Sequence, residues 1–330
     1  MAALAARDLA SAADVAVALR GEPVARERLG AGPGARFLLF SLSKTIAAVT
    51  MLALADTGAI ELEAPVARYV PAFAAHGKEV VTVEDVLCHR GGFSELSSGA
   101  PLEIDDFADA DRARAAICAL PFDRALHGVA VYHPLSYSIL ADVVAAAAAE
   151  PFAAACARLV LEPLGMAETT WGLPPAVRAL GVPLTGPETA AWAGRALLDG
   201  VIAAGNAFSS ADDVLRLFAM LRAGGGTVLR EETVAAMVAP RVPARGQAGA
   251  RAFGYGVFVG SEPGTLSGRG ASASERCFGH AGFTATQAWH DPDGDLTAVA
   301  LTNSCVGQEE SDARFQDWSD ELRRRLLAAA

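Results

Sequence analysis

Strand-like segments at the two ends of the chain enclose a long stretch of helical patterns, and this order limits the possible folds. Near the N-terminus, "DVAVALR" ends at the turn signal "GEP" and is followed by "VARERLG", which predicts a hairpin. Near the C-terminus, "FTATQAWHD" and "LTAVALTN" alternate around the hairpin signal "PDGD". We therefore expect an α/β fold of the α+β kind: both chain ends build one antiparallel sheet, helices flank it, and a large helical region is inserted.

Composition and charge narrow the functional classes. The chain has 330 residues, of which 52% are hydrophobic, as in a globular protein with a sizeable core. The formal net charge of -11 argues against a nucleic-acid partner, because phosphate binding needs clustered positive charge. Charged residues interrupt the longest apolar stretch and the start is not of the secretory type, so we expect a cytoplasmic protein without a membrane partner. The 5 cysteines are widely spaced and lack a C-x-x-C pair, so we expect no metal site and no disulfide framework.

The stretch "FSLSKTIAAV" carries one of only two lysines in the chain, Lys44, three residues after Ser41. On a helix these positions share a face, so the amine can reach the serine oxygen. The amine can take the serine proton only if burial or cationic neighbours lower its pKa. The alternative is a helix capped by Ser41 or Ser43, with Lys44 in solvent. The S-x-x-K pattern alone leaves both interpretations open.

The segments around this stretch resemble, in order, those of the serine β-lactamase and penicillin-binding-protein superfamily, in particular its class C β-lactamase-like hydrolases and esterases. "FSLSKTIAAVTMLALADTGAIELEAPVARYVP" is similar to the nucleophile segment, and "TVEDVLCHRGGF" to a second segment, with Gly91 in place of a serine. Three later stretches also match, and together they span roughly residues 35–305: "EPLGMAETTWGLP", "AGNAFSSADDVLRLFAML" and "FGHAGFTATQAWHDPDGDLTAVALTN". Several ordered segments are more specific than one short motif.

The resemblance implies a second catalytic element in "YHPLSYSIL", where Tyr132 and Tyr137 have the family's spacing. Tyr132 would be the base that takes the proton from Ser41 and returns it to the leaving group. The family's asparagine position is Pro134, which has no side-chain amide for a substrate. His133 is the competing base and a candidate substrate-binding residue.

The resemblance places the third element at His280, Ala281 and Gly282, where lactamases commonly have K-T-G. His280 would contact the substrate or tune Tyr132, while Ala281 and Gly282 would lie along the substrate. The backbone N–H groups of Ser41 and Phe283 would form an oxyanion hole. The sequence also offers less specific assignments: His89 as a structural residue of the turn beside the site, and Trp289 and Tyr255 as candidates for the substrate pocket.

Together these features predict a sheet region (1–40 and 246–330) and a mainly helical region (41–245), with the active site in the cleft between them. The expected reaction is acyl transfer to and from Ser41 on a small ester or amide, without a cofactor. An esterase fits better than a lactamase, because Pro134 and His280 replace the asparagine and lysine. A transacylase, an amidase or D-aminopeptidase, and a catalytically silent ligand-binding relative are the alternatives.

Overall fold

The structure is a computed structural model, and it describes residues 11–93, 109–186, 189, 199–242, 252–260, 270–306 and 308–327. Its main sheet has seven strands in the order β2-β1-β10-β9-β8-β7-β6, and each neighbouring pair is antiparallel. The predicted sheet built from both chain ends is thus confirmed. The strands of the described residues are β1 (Ala13–Leu19), β2 (Glu22–Leu29), β3 (Phe37–Leu38), β4 (Thr170–Trp171), β5 (Ala207–Ser209), β6 (Ala252–Phe253), β7 (Phe258–Val259), β8 (Phe278–Gly282), β9 (Thr286–Asp291) and β10 (Leu296–Thr302).

Helices cover the sheet and fill the inserted region. The chain forms α1 (Ser43–Asp56), α2 (Val83–Leu87), α3 (Ala110–Ala119), α4 (Ser136–Ala148), α5 (Phe152–Cys156), α6 (Ala211–Arg222), α7 (Glu231–Met237) and α8 (Gln308–Leu327). 3-10 segments lie at Phe40–Leu42, Val66–Arg68, Pro71–Val80 and Pro175–Leu180, and a π-helical turn, Ala157–Leu161, extends α5. The segment Pro71–Val80 is interrupted at residues 75–77, which are not helical.

Both faces of the sheet are covered, which explains why its central strands are buried almost throughout. All residues of β9 are buried, and β1 and β10 are buried up to their last residue. A large core around α1 and α4 lies on one face. A second, smaller core forms where Trp289 and Leu296 pack against Trp318 and Leu322 of α8. The amphipathic C-terminal helix therefore serves as the cover of the second face.

A second sheet was not predicted. Its three strands, in the order β3-β5-β4, are two or three residues long, which is too short for an alternating pattern to appear in the sequence. The short apolar run "RFLLF" contains β3 at residues 37–38. The sheet joins the segment before Ser41 to the segment that follows Asn206, and so braces the start of α1. The division of the chain at residues 40 and 245 stays a prediction.

Within the described residues, no single helix is long and apolar enough to cross a membrane. One pair of helical segments, Ser136–Ala148 and Phe152–Leu161, passes that test together, but the two are bent by 78° at the break between them. Many residues of the pair belong to the large core, as is common for central helices of globular proteins.

Candidate active site

Ser41 lies in the 3-10 turn that leads into α1, and it is partly exposed. Neither it nor Ser43 caps the helix: the N-cap residue is Leu42, with no side-chain capping bond. The hydroxyl of Ser43 instead accepts a hydrogen bond from the backbone N–H of Ala207 at 3.0 Å, which fixes the helix start to β5. Phe40, directly before the nucleophile candidate, has a φ of 43°, a conformation that non-glycine residues adopt rarely and often at functional sites. The capping interpretation was therefore wrong.

Lys44 is fully buried, one helical turn after Ser41. Its Nζ donates to the carbonyl oxygen of Ala204 at 2.6 Å and to Ser41 Oγ at 3.3 Å. Burial disfavours the charged amine and lowers the pKa of Lys44 to about 7. A substantial fraction of the amine is thus neutral near pH 7, as a proton acceptor requires. The solvated lysine of the alternative interpretation is wrong.

Tyr132 also contacts Ser41. Its hydroxyl donates to Ser41 Oγ at 2.8 Å, and Lys44 Nζ lies 5.3 Å from the centre of its ring. Tyr132 is partly exposed, as Ser41 is, so the pair is open to a substrate. The second tyrosine of the motif, Tyr137, is buried on α4 and donates its hydroxyl to the carbonyl oxygen of Leu87 at 2.7 Å. The two tyrosines therefore differ in role, and only Tyr132 contacts the serine.

His133 lies beside the site but is sealed from solvent, with an exposure of 1%. Its Nδ1 accepts a hydrogen bond from the N–H of Leu135 at 3.2 Å, and its Nε2 has no partner among the described residues. Burial, together with the nearby Lys44 charge, lowers the pKa of His133 to about 3. Such a weak base is a poor acceptor for a serine proton, so the geometry favours Tyr132 and Lys44 over His133.

Strand β8 brings the third predicted element next to the 3-10 turn. A Cβ on Gly282 would lie 2.2 Å from the carbonyl oxygen of Leu39, so only glycine permits this approach. Phe283 follows directly, and its ring packs edge-on against Phe40 with the ring centres 5.7 Å apart. The predicted oxyanion donors, the N–H groups of Ser41 and Phe283, thus lie on two backbone segments that meet here.

His280 is buried on β8, with its ring centre 6.4 Å from that of Tyr132. Its Nδ1 is 2.8 Å from the carbonyl oxygen of Ala281. A carbonyl can only accept, so Nδ1 carries a proton. In the neutral ring Nε2 is then an acceptor, whereas the ammonium of a lysine is a donor with a fixed charge. Ala281 itself is partly exposed, as a residue along a bound substrate should be.

Two of the pocket assignments were wrong. Trp289 is fully buried in the second core, where its indole N–H donates to Ser319 Oγ at 3.1 Å and the guanidinium of Arg323 covers its ring. Side chains alternate along β9, and Trp289 falls on the face that α8 covers. Tyr255 is also buried, and its hydroxyl donates to Glu84 at 2.6 Å, so it is a packing residue.

Two contacts of the site were not predicted. The carbonyl of Ala204 holds Lys44, but a backbone acceptor leaves no mark on residue type. The loop at Gly256 packs on α1 beside Lys44: Thr45 donates to the carbonyl of Gly256 at 2.8 Å, and a Cβ there would lie 2.5 Å from that of Ala48. The glycine was visible in "FGYGVFVG", yet its partner was not.

Comparison with known proteins shows the family to which the chain belongs. The family model Beta-lactamase matches residues 1–320. Esterase EstB of Burkholderia gladioli is 30% identical over 317 residues, which cover 81% of this chain and 77% of that protein. Esterase/beta-lactamase LipL of Mycobacterium tuberculosis is 38% identical over 110 residues, so the match spans 33% of this chain and only 25% of that relative. The crystal structure of a family VIII carboxylesterase superposes with a TM-score of 0.78 at 20% identity, over 94% of this chain and 92% of that one. The chain belongs to the Beta-lactamase family.

Proposed function

We propose that this chain is a serine hydrolase of the esterase type, which transfers an acyl group through a covalent ester on Ser41. One observation carries the proposal: Ser41 Oγ lies between the hydroxyl of Tyr132 at 2.8 Å and the amine of Lys44 at 3.3 Å. A partly exposed serine with two proton-carrying groups in reach, one of them a buried amine with a pKa of about 7, is an activated nucleophile.

The proton path follows from these contacts. Ser41 passes its proton to the pair formed by Tyr132 and neutral Lys44 as Oγ forms a bond to the ester carbonyl carbon. The negative charge on the carbonyl oxygen is stabilised by the N–H groups of Ser41 and Phe283, which act without reorganisation because both are backbone donors. The carbonyl then re-forms, the C–O bond to the alcohol breaks, and Tyr132 gives its proton to the leaving oxygen.

Release of the acyl group repeats the sequence with water. Tyr132 and Lys44 take a proton from water as its oxygen attacks the acyl carbon, and the proton returns to Ser41 Oγ when the ester bond breaks. The same geometry accepts an alcohol or amine in place of water, and that reaction is transacylation. The difference between the two reactions lies in the acceptor, and Ser41 has the same role in both.

The chemistry of the surrounding residues favours esters over lactams. Pro134 provides no side-chain amide at the position after His133. His280, with Nδ1 held by a carbonyl, provides an acceptor where a fixed positive charge would bind a carboxylate. Names of the relatives point the same way, since EstB is an esterase and LipL an esterase/beta-lactamase.

Labelling with a fluorophosphonate tests the proposal. The intact mass of the protein should rise by one adduct, and Ser41→Ala should take no label and lose turnover of an aryl ester by at least about 1000-fold. Ser43→Ala is the matched control, because Ser43 is on the same segment but its hydroxyl is bound to Ala207. If the folded wild-type protein takes no label, the hydrolase proposal fails and the alternative of a catalytically silent ligand-binding relative remains.

A second experiment separates hydrolysis from transacylation by adding an alcohol or an amine to the ester assay. A transacylase consumes the ester faster and forms an acylated acceptor.

A further inference from the structure

His89 contacts the segment that carries Tyr132 at four successive points. Its carbonyl oxygen accepts a hydrogen bond from the N–H of Val131 at 2.8 Å. Its ring lies against that of Tyr132, with the ring centres 4.5 Å apart. Its Nδ1 is 3.4 Å from the backbone nitrogen of His133 and 3.1 Å from Ser136 Oγ. The residues before and after Tyr132, and the tyrosine ring itself, are thus all held by one side chain and its own backbone.

The nitrogen contact fixes the form of the imidazole. A backbone N–H can only donate, so Nδ1 of His89 is the acceptor of the bond from His133, and the neutral ring carries its proton on Nε2. Ser136 Oγ lies 3.1 Å from this Nδ1 and 3.0 Å from the carbonyl oxygen of His133, and its single hydrogen bonds to one of these two acceptors at a time. Both contacts belong to a buried network around the backbone that follows Tyr132. Buried networks of this kind hold their members in one arrangement.

His89 is itself attached to a rigid base. It follows α2, whose start is closed by reciprocal hydrogen bonds between Thr82 and Asp85. The next residue, Arg90, binds Glu84 at 2.6 Å and Asp85 at 2.7 Å, so the turn is held back onto the helix. His89 has a φ of 54°, and this left-handed conformation directs the chain from α2 toward the site.

We propose that His89 is a positioning residue for the reaction: it fixes the ring of Tyr132 so that its hydroxyl stays on Ser41. This inference rests on the proposed function, in which Tyr132 moves the proton. In the proposed pathway His89 takes no proton from Ser41 and acts only through Tyr132. Misplacement of a catalytic group by about 1 Å can lower the rate by about 100-fold, so loss of the contacts of His89 should cause a measurable fall in kcat.

A set of variants tests this in the full chain, with 4-nitrophenyl butyrate as the substrate. His89→Ala should lower kcat by roughly 10- to 100-fold and change KM by less than about threefold, because the substrate contacts stay in place. His89→Asn should recover most of that loss, since its amide oxygen can accept from the N–H of His133 and asparagine tolerates the positive φ. In a Tyr132→Phe background, His89→Ala should cost less than about twofold, since the hydroxyl it positions is gone.

His290 offers a matched control. It is a buried histidine whose Nδ1 lies 2.9 Å from Thr297 Oγ1 and whose ring packs 5.4 Å from that of Phe278, at the end of β9 away from Gly282. His290→Ala should lower the unfolding temperature while kcat stays within about twofold. Equal losses of kcat in His89→Ala and His290→Ala would show a general packing effect and overturn the inference.

A measurement independent of turnover covers the case in which His89→Ala folds poorly. The chain has 4 tyrosines, so protein labelled with 3-fluorotyrosine should give a simple fluorine NMR spectrum in which Tyr132→Phe identifies one signal. In His89→Asn, which keeps an acceptor for the N–H of His133, the Tyr132 signal should stay single and narrow. In His89→Ala, or in His89→Gly if the alanine variant folds poorly, that signal should broaden or divide, because the ring is no longer held in one position. A single narrow signal in the alanine or glycine variant, or an equal kcat loss in both Tyr132 backgrounds, would overturn the positioning role. A wild-type protein without label or turnover would instead overturn the proposed function and, with it, this inference.

Discussion

The two lysines of the chain are both buried, yet their surroundings differ in a way that separates structure from chemistry. Lys78 donates to three backbone carbonyls, those of Ala75, Cys118 and Leu120, and so uses all of its N–H groups within the protein. Lys44 has one carbonyl partner, Ala204, and directs another N–H to a serine hydroxyl. Burial lowers the pKa of Lys78 to about 8 and that of Lys44 to about 7.

The comparison shows that the hydrogen-bond acceptors around a buried lysine distinguish a structural role from a catalytic one. Three carbonyls surround the ammonium of Lys78, which is mostly charged at neutral pH and joins the 3-10 segment Pro71–Val80 to the end of α3. Lys44 has fewer fixed acceptors and faces a group that can itself lose or gain a proton. We therefore assign Lys78 to stability and propose Lys44 for proton transfer.

The largest difference between the lysines should appear in turnover. Lys44→Met should lower kcat for an aryl ester by about 100-fold or more, as expected when a proton-transfer group is removed. Its free energy of unfolding should stay the same or rise, because a buried charge is replaced by an apolar side chain. Steady-state kinetics and chemical denaturation measure the two effects. A Lys44→Met protein with normal kcat would remove this lysine from the mechanism.

Lys78→Met should show the reverse pattern. Three buried carbonyls lose their donor, and we expect a loss of about 3 kcal/mol in the free energy of unfolding. The value of kcat per folded molecule should remain within about twofold of the wild type, since no contact with Ser41 is involved. Denaturation in urea and active-site titration with the fluorophosphonate measure these quantities. A selective loss of kcat in the stable variant would contradict the assignment.

The pH dependence of turnover should follow Lys44 and be insensitive to Lys78. The neutral amine is the active form, so kcat/KM should rise about tenfold per pH unit below pH 7 and level off above it, because the pKa of Lys44 is about 7. Lys78→Met should give the same profile, measured with an ester that is stable over the pH range. A profile without an inflection near pH 7 would contradict the role proposed for Lys44. A profile that shifts in Lys78→Met would contradict the assignment of Lys78 to stability alone.

A further effect should be a pH-dependent difference in stability between the wild type and Lys44→Met. The pKa of Lys44 is about 7 in the folded protein and near the ordinary lysine value of 10.5 in the unfolded chain. Above pH 7 the unfolded state therefore binds the additional proton, and the wild type should gain at most about 1.4 kcal/mol per pH unit relative to the variant, up to the unfolded pKa. Below pH 7 the difference should be constant. Unfolding curves of both proteins at several pH values measure it.

The long elements of the fold were predictable because their patterns are long. The two hairpins and the helix after Ser43 have enough residues for their period to show. The spacing of Thr82 and Asp85 is also typical of a capping box, which the structure has at the start of α2. The small sheet was not predictable, since strands of two residues are formed by their partners and not by their own sequence. Trp289 was misassigned for a related reason: period 2 shows that a strand has two faces but does not say which face meets which layer.

For the site, the side chains were predicted from the sequence motifs, whereas the contacts made by the backbone were not predicted. Ser41, Lys44 and Tyr132 were selected through motif order, and their side chains meet in the structure. The carbonyl of Ala204 belongs to no motif, and the four contacts of His89 depend on a turn whose direction is set by one positive φ. The catalytic roles stay predictions until the variants are measured.

The pairing of β1 with β10 sets a condition on how this enzyme is made. Ala13 lies opposite Thr302 in the sheet, so the partner of β1 is synthesised about 290 residues after β1 itself. At roughly 5–20 residues per second, the hairpin of β1 and β2 lacks the partner of β1 for tens of seconds. The inserted helices can compact meanwhile, but β8, which completes the site beside Ser41, is also synthesised late. A nascent chain should therefore be inactive until β8 and β10 have been synthesised, and in that interval the exposed edge of β1 is open to aggregation or to a chaperone.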